Sequence, residues 1–423
     1  MLNKEEYKTL EEHEQYQFNE LKSLLTYSYE CIPYYSKVFR NVGFNPYEMK
    51  HSNEIEVIPF LTKDLIEENY RDLISTSINS KYIGINTTSG TSGHQLQFAF
   101  DKRTYYSKEW AYIHHLWKRI GYIEGISSIA VLRNEVISQG KLYEFDLKTR
   151  RLILDTYHLT DTNIEVILCK LEEDRIQYIH TYPSAIMVLS QYIIRTGRNL
   201  KYAPKAIIVT SEMLYDGQKK MIESAFLARV YTFYGHSERA ALASWCERTS
   251  LYHIQSEYGY LELVDDFGRT IRTPNVRGEI ICTGFNNYIM PLIRYKTADY
   301  SSYNEDTECE CGRHYKSLNE IAGRWCQDSL IGKNGNLITD TALNMHSLIY
   351  HNVEKFQFVQ NEKGKCNLLI VKGPNYSIED EKLIIDEVNK KVGDSIELSV
   401  IYANDISRTK AGKYRYIIRN IDF

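Results

Sequence analysis

Tyr178-Ile179-His180, Ala206-Ile207-Ile208-Val209 and Val230-Tyr231-Thr232-Phe233 are three short apolar runs separated by two stretches, 184–196 and 215–226, that read as helix. A fourth run, Ser128-Ile129-Ala130-Val131-Leu132, comes before them, with a helix predicted over 161–174 in between. Runs this short and this apolar are too brief for buried helices and suit strands covered on both faces. Strands alternating with helices of about 10–15 residues predict a parallel or mostly parallel α/β sheet.

Outward from this core the pattern changes. Toward the N-terminus, residues 4–39 and 104–120 read as helical, and Ile58-Pro59-Phe60-Leu61-Thr62-Lys63-Asp64 supplies a turn and an N-cap. Toward the C-terminus, 254–303 breaks into short strands and turns, among them Tyr258-Gly259-Tyr260-Leu261-Glu262-Leu263-Val264 and Gly278-Glu279-Ile280-Ile281-Cys282. This predicts a β-rich subdomain appended to the α/β part. After Gly323-Arg324 a compact α+β unit is expected, with a hairpin over 354–372, a helix over 378–391 and a strand over 396–402. The predicted fold class is thus α/β, with a large N-terminal α/β domain and a small α+β C-terminal one.

Thr87-Thr88-Ser89-Gly90-Thr91-Ser92-Gly93 is the first stretch with chemistry of its own. Gly90 and Gly93 permit positive φ and close backbone approach, so successive amides can converge on an anion. The hydroxyls of Thr88, Ser89, Thr91 and Ser92 add donors for phosphate oxygens. The flanks, Tyr82-Ile83-Gly84-Ile85 and Leu96-Gln97-Phe98-Ala99-Phe100, read as strands. No Gly-Lys-Ser/Thr follows, so this is not a Walker loop; a solvated turn between strands is the alternative.

Four further stretches follow in order. Tyr234-Gly235-His236-Ser237-Glu238 comes directly after a predicted strand; its aromatic ring can stack on a purine and its carboxylate can ligate Mg²⁺. Leu292-Ile293-Arg294-Tyr295-Lys296-Thr297-Ala298-Asp299 ends in a carboxylate suited to two ribose hydroxyls. Gly323-Arg324 is next, and Ser407-Arg408-Thr409-Lys410-Ala411-Gly412-Lys413-Tyr414-Arg415 lies near the C-terminus. Each alone fits an ordinary loop; their succession is harder to explain that way.

Together these residues make the chain resemble the adenylate-forming superfamily of acyl-CoA synthetases, on its phenylacetate–CoA ligase branch. Tyr234-Gly235-His236-Ser237-Glu238-Arg239, Gly323-Arg324-Trp325-Cys326-Gln327-Asp328, Ala342-Leu343-Asn344-Met345-His346 and Gly412-Lys413-Tyr414-Arg415 bring it nearest to the CapK-like proteins of polysaccharide gene clusters. The resemblance covers nearly the whole chain and implies a role for each motif. Thr88, Ser89, Gly90, Thr91, Ser92 and Gly93 would grip the pyrophosphate of ATP, and Ser211-Glu212 would lie along the adenine. Tyr234 would stack on the base, within the segment Tyr234 to Ser237, and Glu238 would hold Mg²⁺. Asp299 and Arg324 would bind the ribose, while Lys413 would bridge the carboxylate and the α-phosphate. The resemblance also implies an ATP- and acid-binding domain over 1–326 and a mobile lid domain over 327–423, hinged at Gln327 or Asp328. Two departures stand out: the phosphate loop continues as Gly93-His94-Gln95-Leu96-Gln97, without the family's Pro and Lys or Thr, and the segment from Gly323 to Asp328 is one residue longer than in the phenylacetate ligases.

Cys309-Glu310-Cys311-Gly312 carries two sulfurs on a turn, and a tetrahedral zinc site needs two more donors. Cys246 and His253 are the candidates, with Cys326 ranked behind them. The phenylacetate ligase branch often shows a similar set, which implies a closed structural zinc site. Two exposed cysteines with an unrelated histidine are the alternative.

Composition sets the outer bounds. The 423 residues are 43% hydrophobic and 25% charged, as expected of a globular chain with a sizeable core. A formal net charge of -4 gives no basic footprint, so no nucleic-acid partner is expected. No stretch approaches the roughly 18 uninterrupted apolar residues a membrane helix needs, and the start of the chain lacks the apolar core of a secretory signal. The expectation is a cytoplasmic enzyme without membrane association. Its partners would be ATP, a small carboxylic acid and coenzyme A, and the family resemblance favours a homodimer. The leading reading is adenylation of the acid followed by transfer to coenzyme A. An amine or hydroxyl acceptor is the second reading, and a non-catalytic nucleotide-binding protein the third. Arg133-Asn134, Tyr182-Pro183-Ser184 and the helix around Trp110-Ala111-Tyr112 would line the acid pocket. There Arg133 would either meet a polar or second charged group on the acid or form a structural ion pair.

Overall fold

The computed structural model describes residues 6–87, 96–321, 329–406 and 417–421, apart from 134, 136, 139, 157, 212, 213, 215, 306, 307, 340, 341, 344–347, 351 and 374. The chain forms two compact units, the first built from 1–89, 95–123 and 231–323, the second from 90–94, 124–230 and 324–423.

The first unit begins with helices α1 (Leu10–Cys31) and α2 (Pro33–Val42). The helix predicted over 4–39 is therefore two helices. Pro33 has no amide hydrogen to donate back into the preceding turn, and it sits at the start of α2 with Ile32 extended before it. A Thr9–Glu12 capping box starts α1. Helix α3 (Lys63–Glu68) is capped by Thr62, and strands β1 (Ile83–Thr87) and β2 (Gln97–Asp101) pair antiparallel on either side of the Thr88–Gly93 stretch. Helix α4 (Tyr105–Lys118) follows.

The second unit opens on β3 (Ile129–Leu132), β4 (Tyr143–Asp146), β5 (Arg151–Leu154), helix α5 (Asp161–Glu173), β6 (Tyr178–Thr181), helix α6 (Pro183–Thr196), β7 (Ala206–Val209) and helix α7 (Asp216–Phe226). Strands β7, β6, β3 and β5 run parallel in that spatial order, and β4 closes the edge antiparallel to β5. Every residue of β3, β6 and β7 is buried, which is why these strands read as continuous apolar runs.

The chain then returns to the first unit. Strands β8 (Val230–Gly235), β9 (Leu242–Trp245), β10 (Tyr252–Ile254) and β15 (Ser317–Leu318) pair antiparallel in that order. Strands β11 (Gly259–Val264), β12 (Thr270–Ile271), β13 (Gly278–Gly284) and β14 (Tyr295–Ser301) form a second antiparallel sheet, in the order β12-β11-β13-β14. This is the predicted β-rich subdomain. Gly259 and Gly284 face each other across β11 and β13. A Cβ on Gly259 would lie 2.5 Å from the Ala240 carbonyl oxygen, and one on Gly284 would lie 2.7 Å from the Ala240 Cα. The two glycines thus let the backbone just after Glu238 pack directly on this sheet. The core of the unit joins Leu21, Leu24, Tyr35 and Phe39 of the N-terminal helices to Phe98, Ile280 and Ile293. Full burial of each such side chain contributes about 1.5–3 kcal/mol.

Residues from 329 onward have a core of their own, built from Leu330, Ile338, Phe358, Leu368, Ile384 and Val388 among others. Strands β16 (Ser329–Ile331) and β17 (Leu337–Thr339) pair with each other. Strands β18 (Val353–Glu362), β19 (Lys365–Lys372), β20 (Glu397–Tyr402) and β21 (Ile417–Arg419) form a sheet in the order β20-β19-β18-β21, with helix α8 (Ile378–Val392) between β19 and β20 in sequence. The hairpin, helix and strand expected here are all present.

Candidate functional site

Strand β8 ends at Gly235, and the residues after it turn back into β9, with Gly235 opposite Leu242. This places Tyr234, His236, Ser237 and Glu238 around one strand end of the first unit. Strand β14 brings Asp299 to the same place: the Tyr234 hydroxyl donates to Asp299 Oδ2 at 2.9 Å. Burial, then the neighbouring Asp299 carboxylate, push the Tyr234 hydroxyl well above its ordinary pKa, so it stays a donor. Tyr295, also on β14, donates to Glu238 Oε1 at 2.7 Å, and His236 Nδ1 lies 3.3 Å from Glu238 Oε2. Burial alone would raise the Glu238 carboxyl. His236, the Lys63 ammonium and the Tyr295 hydroxyl outweigh that and hold it at about 2. Glu238 is therefore ionised at neutral pH although it is buried. Tyr105 of α4 fixes the loop by donating to the Ser237 carbonyl at 2.8 Å.

The backbone around these residues is held in a sparsely populated conformation. Arg239, Arg294 and Ala298 all have positive φ, from 51° to 64°, without being glycine. Arg239 follows Glu238 and Ala298 precedes Asp299. Such conformations cost about 1–3 kcal/mol each and persist where the surroundings determine them. At Arg294 those surroundings are explicit: its guanidinium is buried, makes a paired contact with Glu262 and donates to the carbonyls of Glu56 and Ile58. Arg294 anchors the segment that leads to Asp299.

In the second unit, Ser211 lies just beyond β7 and accepts a hydrogen bond from Arg133 Nη2 at 2.9 Å. Thr88 to Gly93, Glu212, Arg324, Lys413 and both hinge candidates, Gln327 and Asp328, lie outside the described residues, as does Cys326.

Cys246, His253, Cys309 and Cys311 converge in the first unit, with one donor atom from each lying within 4.8 Å of the others. Cys246 follows β9 and His253 lies on β10, so the cluster forms at the opposite end of these strands from Tyr234. Cys246 Sγ is 3.5 Å from Cys309 Sγ, and Cys311 Sγ is 3.4 Å from His253 Nε2. Ser317 Oγ sits 3.0 Å from His253 Nδ1, which fixes the ring with Nε2 toward the sulfurs. Three sulfurs and one imidazole at this separation fit the donor set that a closed tetrahedral zinc site requires.

Sequence reasoning did not assign Tyr295 and Tyr105 as partners of the Glu238 loop. It also missed an ionic hub beside the cysteines. Arg119 and Arg313 both donate to Glu6, Arg313 donates to Glu247 at 2.5 Å, and His115 lies 3.5 Å from Glu6. These partners are far apart in sequence, so no local pattern announces them.

A family model described as the CapK C-terminal domain matches residues 330–420. Protein CapK of Staphylococcus aureus is 25% identical over 92% of this chain and 85% of its own length. The phenylacetate-coenzyme A ligase of Thermus thermophilus is 22% identical over 94% of each chain. A crystal structure of 2-hydroxyisobutyryl-CoA ligase in complex with 2-HIB-AMP and CoA aligns over 98% of this chain and 91% of that one, at 20% identity and a TM-score of 0.64.

Proposed function

We propose that this chain, a member of the adenylate-forming superfamily on its phenylacetate–CoA ligase branch, activates a carboxylic acid with ATP and passes the acyl group to coenzyme A. The observation that carries the reading is the Tyr234–Asp299 and Tyr295–Glu238 network: an aromatic ring and two carboxylates fixed together at one strand end. Attack of a carboxylate on an α-phosphate brings two anions together, so the barrier is largely electrostatic. Glu238, kept ionised, would hold Mg²⁺ against the phosphates. Asp299 would accept from the ribose hydroxyls while Tyr234 covers the base. In this reading Thr88 to Gly93, Ser211-Glu212, Arg324 and Lys413 keep the roles the resemblance implies, and residues 327–423 act as the lid. The Cys246–His253–Cys309–Cys311 donors fit zinc and would hold it as a structural ion.

Pyrophosphate release from Mg·ATP, measured across a panel of carboxylic acids with and without coenzyme A, tests the proposal. Acid-dependent release stimulated by coenzyme A is expected. Release indifferent to coenzyme A would move the acceptor to an amine or hydroxyl. Labelled ATP that binds without turnover on any acid would favour a non-catalytic role.

A further inference from the structure

In the second unit, β3 and β6 are parallel neighbours, but the chain leaves them in opposite directions: from β3 toward β5, and from β6 toward β7. This is a topological switch point, and in open α/β sheets ligands bind in the crevice beyond the carboxyl ends of such a pair. Arg133 stands at that end of β3. Its Nη1 is 3.0 Å from His180 Nε2, its Nη2 donates to Ser211 Oγ at 2.9 Å, and the Tyr182 ring lies 5.0 Å from its Cζ. Arginine can only donate, so His180 Nε2 must accept, which puts the imidazole proton on Nδ1. Burial, then the Arg133 and Arg151 cations, drive the His180 pKa well below its ordinary value, so the ring stays neutral.

Every partner of Arg133 among the described residues is thus uncharged. Its Nε is buried without an acceptor among them. Two acids near it in sequence or on the neighbouring strand are engaged elsewhere: Glu135 pairs with Arg151, and Asp155, which follows β5, pairs with His158 at 2.6 Å. The structural ion pair that the sequence left open for Arg133 does not form with these residues. A half-buried guanidinium in a neutral shell at such a strand end offers a planar fork of donors, which matches a carboxylate or phosphate.

We propose that Arg133 receives a second anionic group on the acid substrate, which makes the substrate class a dicarboxylic or otherwise doubly charged acid. The inference rests on the adenylation reading above. Phosphate oxygens of ATP share the chemistry, but in that reading they have their own ligands in Thr88 to Gly93, Lys413 and the ion on Glu238. Lys413 also meets the reacting carboxylate in that reading, whereas a second anionic group on the acid has no other assigned cation.

The test compares matched acids in ATP–pyrophosphate exchange: glutarate against pentanoate, and 4-carboxyphenylacetate against phenylacetate. Wild type, Arg133→Gln and Arg133→Lys are assayed side by side. Wild type is expected to favour the doubly charged member of an active pair by about 10- to 100-fold, as the loss of a charged hydrogen bond implies. Arg133→Gln should erase that preference and Arg133→Lys should keep part of it. A wild-type preference for the singly charged acids overturns the proposal, as does a preference that survives in Arg133→Gln. A uniform loss of ATP affinity with every acid would make the anion an ATP phosphate and also overturns it. Absence of exchange with all four acids counts against the adenylation reading instead. Thermal shifts with the same acids need no turnover and still decide Arg133. Failure of the doubly charged members to stabilise wild type more than Arg133→Gln sinks the proposal.

Discussion

Strands β8, β9 and β10 carry a polar cluster at each end, and the two clusters are completed in opposite ways. At the Tyr234 end, strong donors and acceptors are matched within the protein: Tyr234 with Asp299, Tyr295 with Glu238. At the Cys246 end, three sulfurs and an imidazole face one another, and sulfur is a weak hydrogen-bond partner. The first cluster is therefore shaped before any ligand arrives, which is what a site that stabilises developing charge requires. The second would gain most of its cohesion from a cation. In the proposed reading, the polar clusters at two ends of the same strands divide the work: one for chemistry, one for stability.

Metal removal is the largest effect that could break this division. Purified protein is expected to contain about one zinc per chain, and Cys309→Ser or exhaustive chelation should lower folding stability by more than about 4 kcal/mol. Elemental analysis together with denaturant unfolding checks both statements. A metal-free chain with wild-type stability would remove the contrast altogether. Glu238→Gln should do the reverse. Acid-dependent pyrophosphate exchange is expected to fall about 10²–10³-fold, the scale for losing one electrostatic group at a reacting centre, while the melting temperature stays near wild type. If Glu238→Gln unfolded the chain instead, the Tyr234 end would be structural as well.

How far each end was legible in the sequence follows the same division. The buried strands β3, β6 and β7 could be read because burial on both faces leaves no polar positions to obscure them. Tyr234 to Glu238 could be read because they are contiguous, and Cys309-Glu310-Cys311 because two thiols in three residues are conspicuous. Strand β4 escaped notice: Tyr143 to Asp146 is a short edge strand with no buried residue and an acidic residue at every second position. The split between α1 and α2 was signalled by Pro33, but the apolar spacing continues across it and hides the break. Partners brought together only by the tertiary fold could not be found at all. Arg313 meets Glu6 across 307 residues and Tyr295 meets Glu238 across 57. The Arg133–His180–Ser211 group requires knowing which strands adjoin.

A smaller effect sharpens the Tyr234 end. Asp299→Asn keeps the shape and the contact with Tyr234 but removes the charge that would accept from the ribose. ATP affinity should weaken by about 10- to 100-fold, corresponding to about 1.5–3 kcal/mol for a charged hydrogen bond, with kcat changed less than KM for ATP. Equal affinity in wild type and variant, by calorimetry with Mg·ATP, would separate Asp299 from the nucleotide.

The smallest effect probes the hub beside the cysteines. Burial, opposed by Glu6 and reinforced by Arg119 and Arg313, brings the His115 pKa down from 6.5 to about 4. A histidine depressed in the folded state binds its proton first when the chain unfolds. Its neutral form is thus compatible with full stability above pH 6.5, and stability falls as the pH drops from 6.5 toward 4. The loss from this one group reaches about 3 kcal/mol at most. Urea unfolding of wild type and His115→Gln at pH 7, 6 and 5 isolates it, because contributions common to both chains cancel in the difference. The variant should show the shallower slope. Parallel slopes would mean that His115 is not held neutral by its neighbours, and that the Glu6–Arg119–Arg313 hub does not set the charge balance beside the cysteine–histidine cluster.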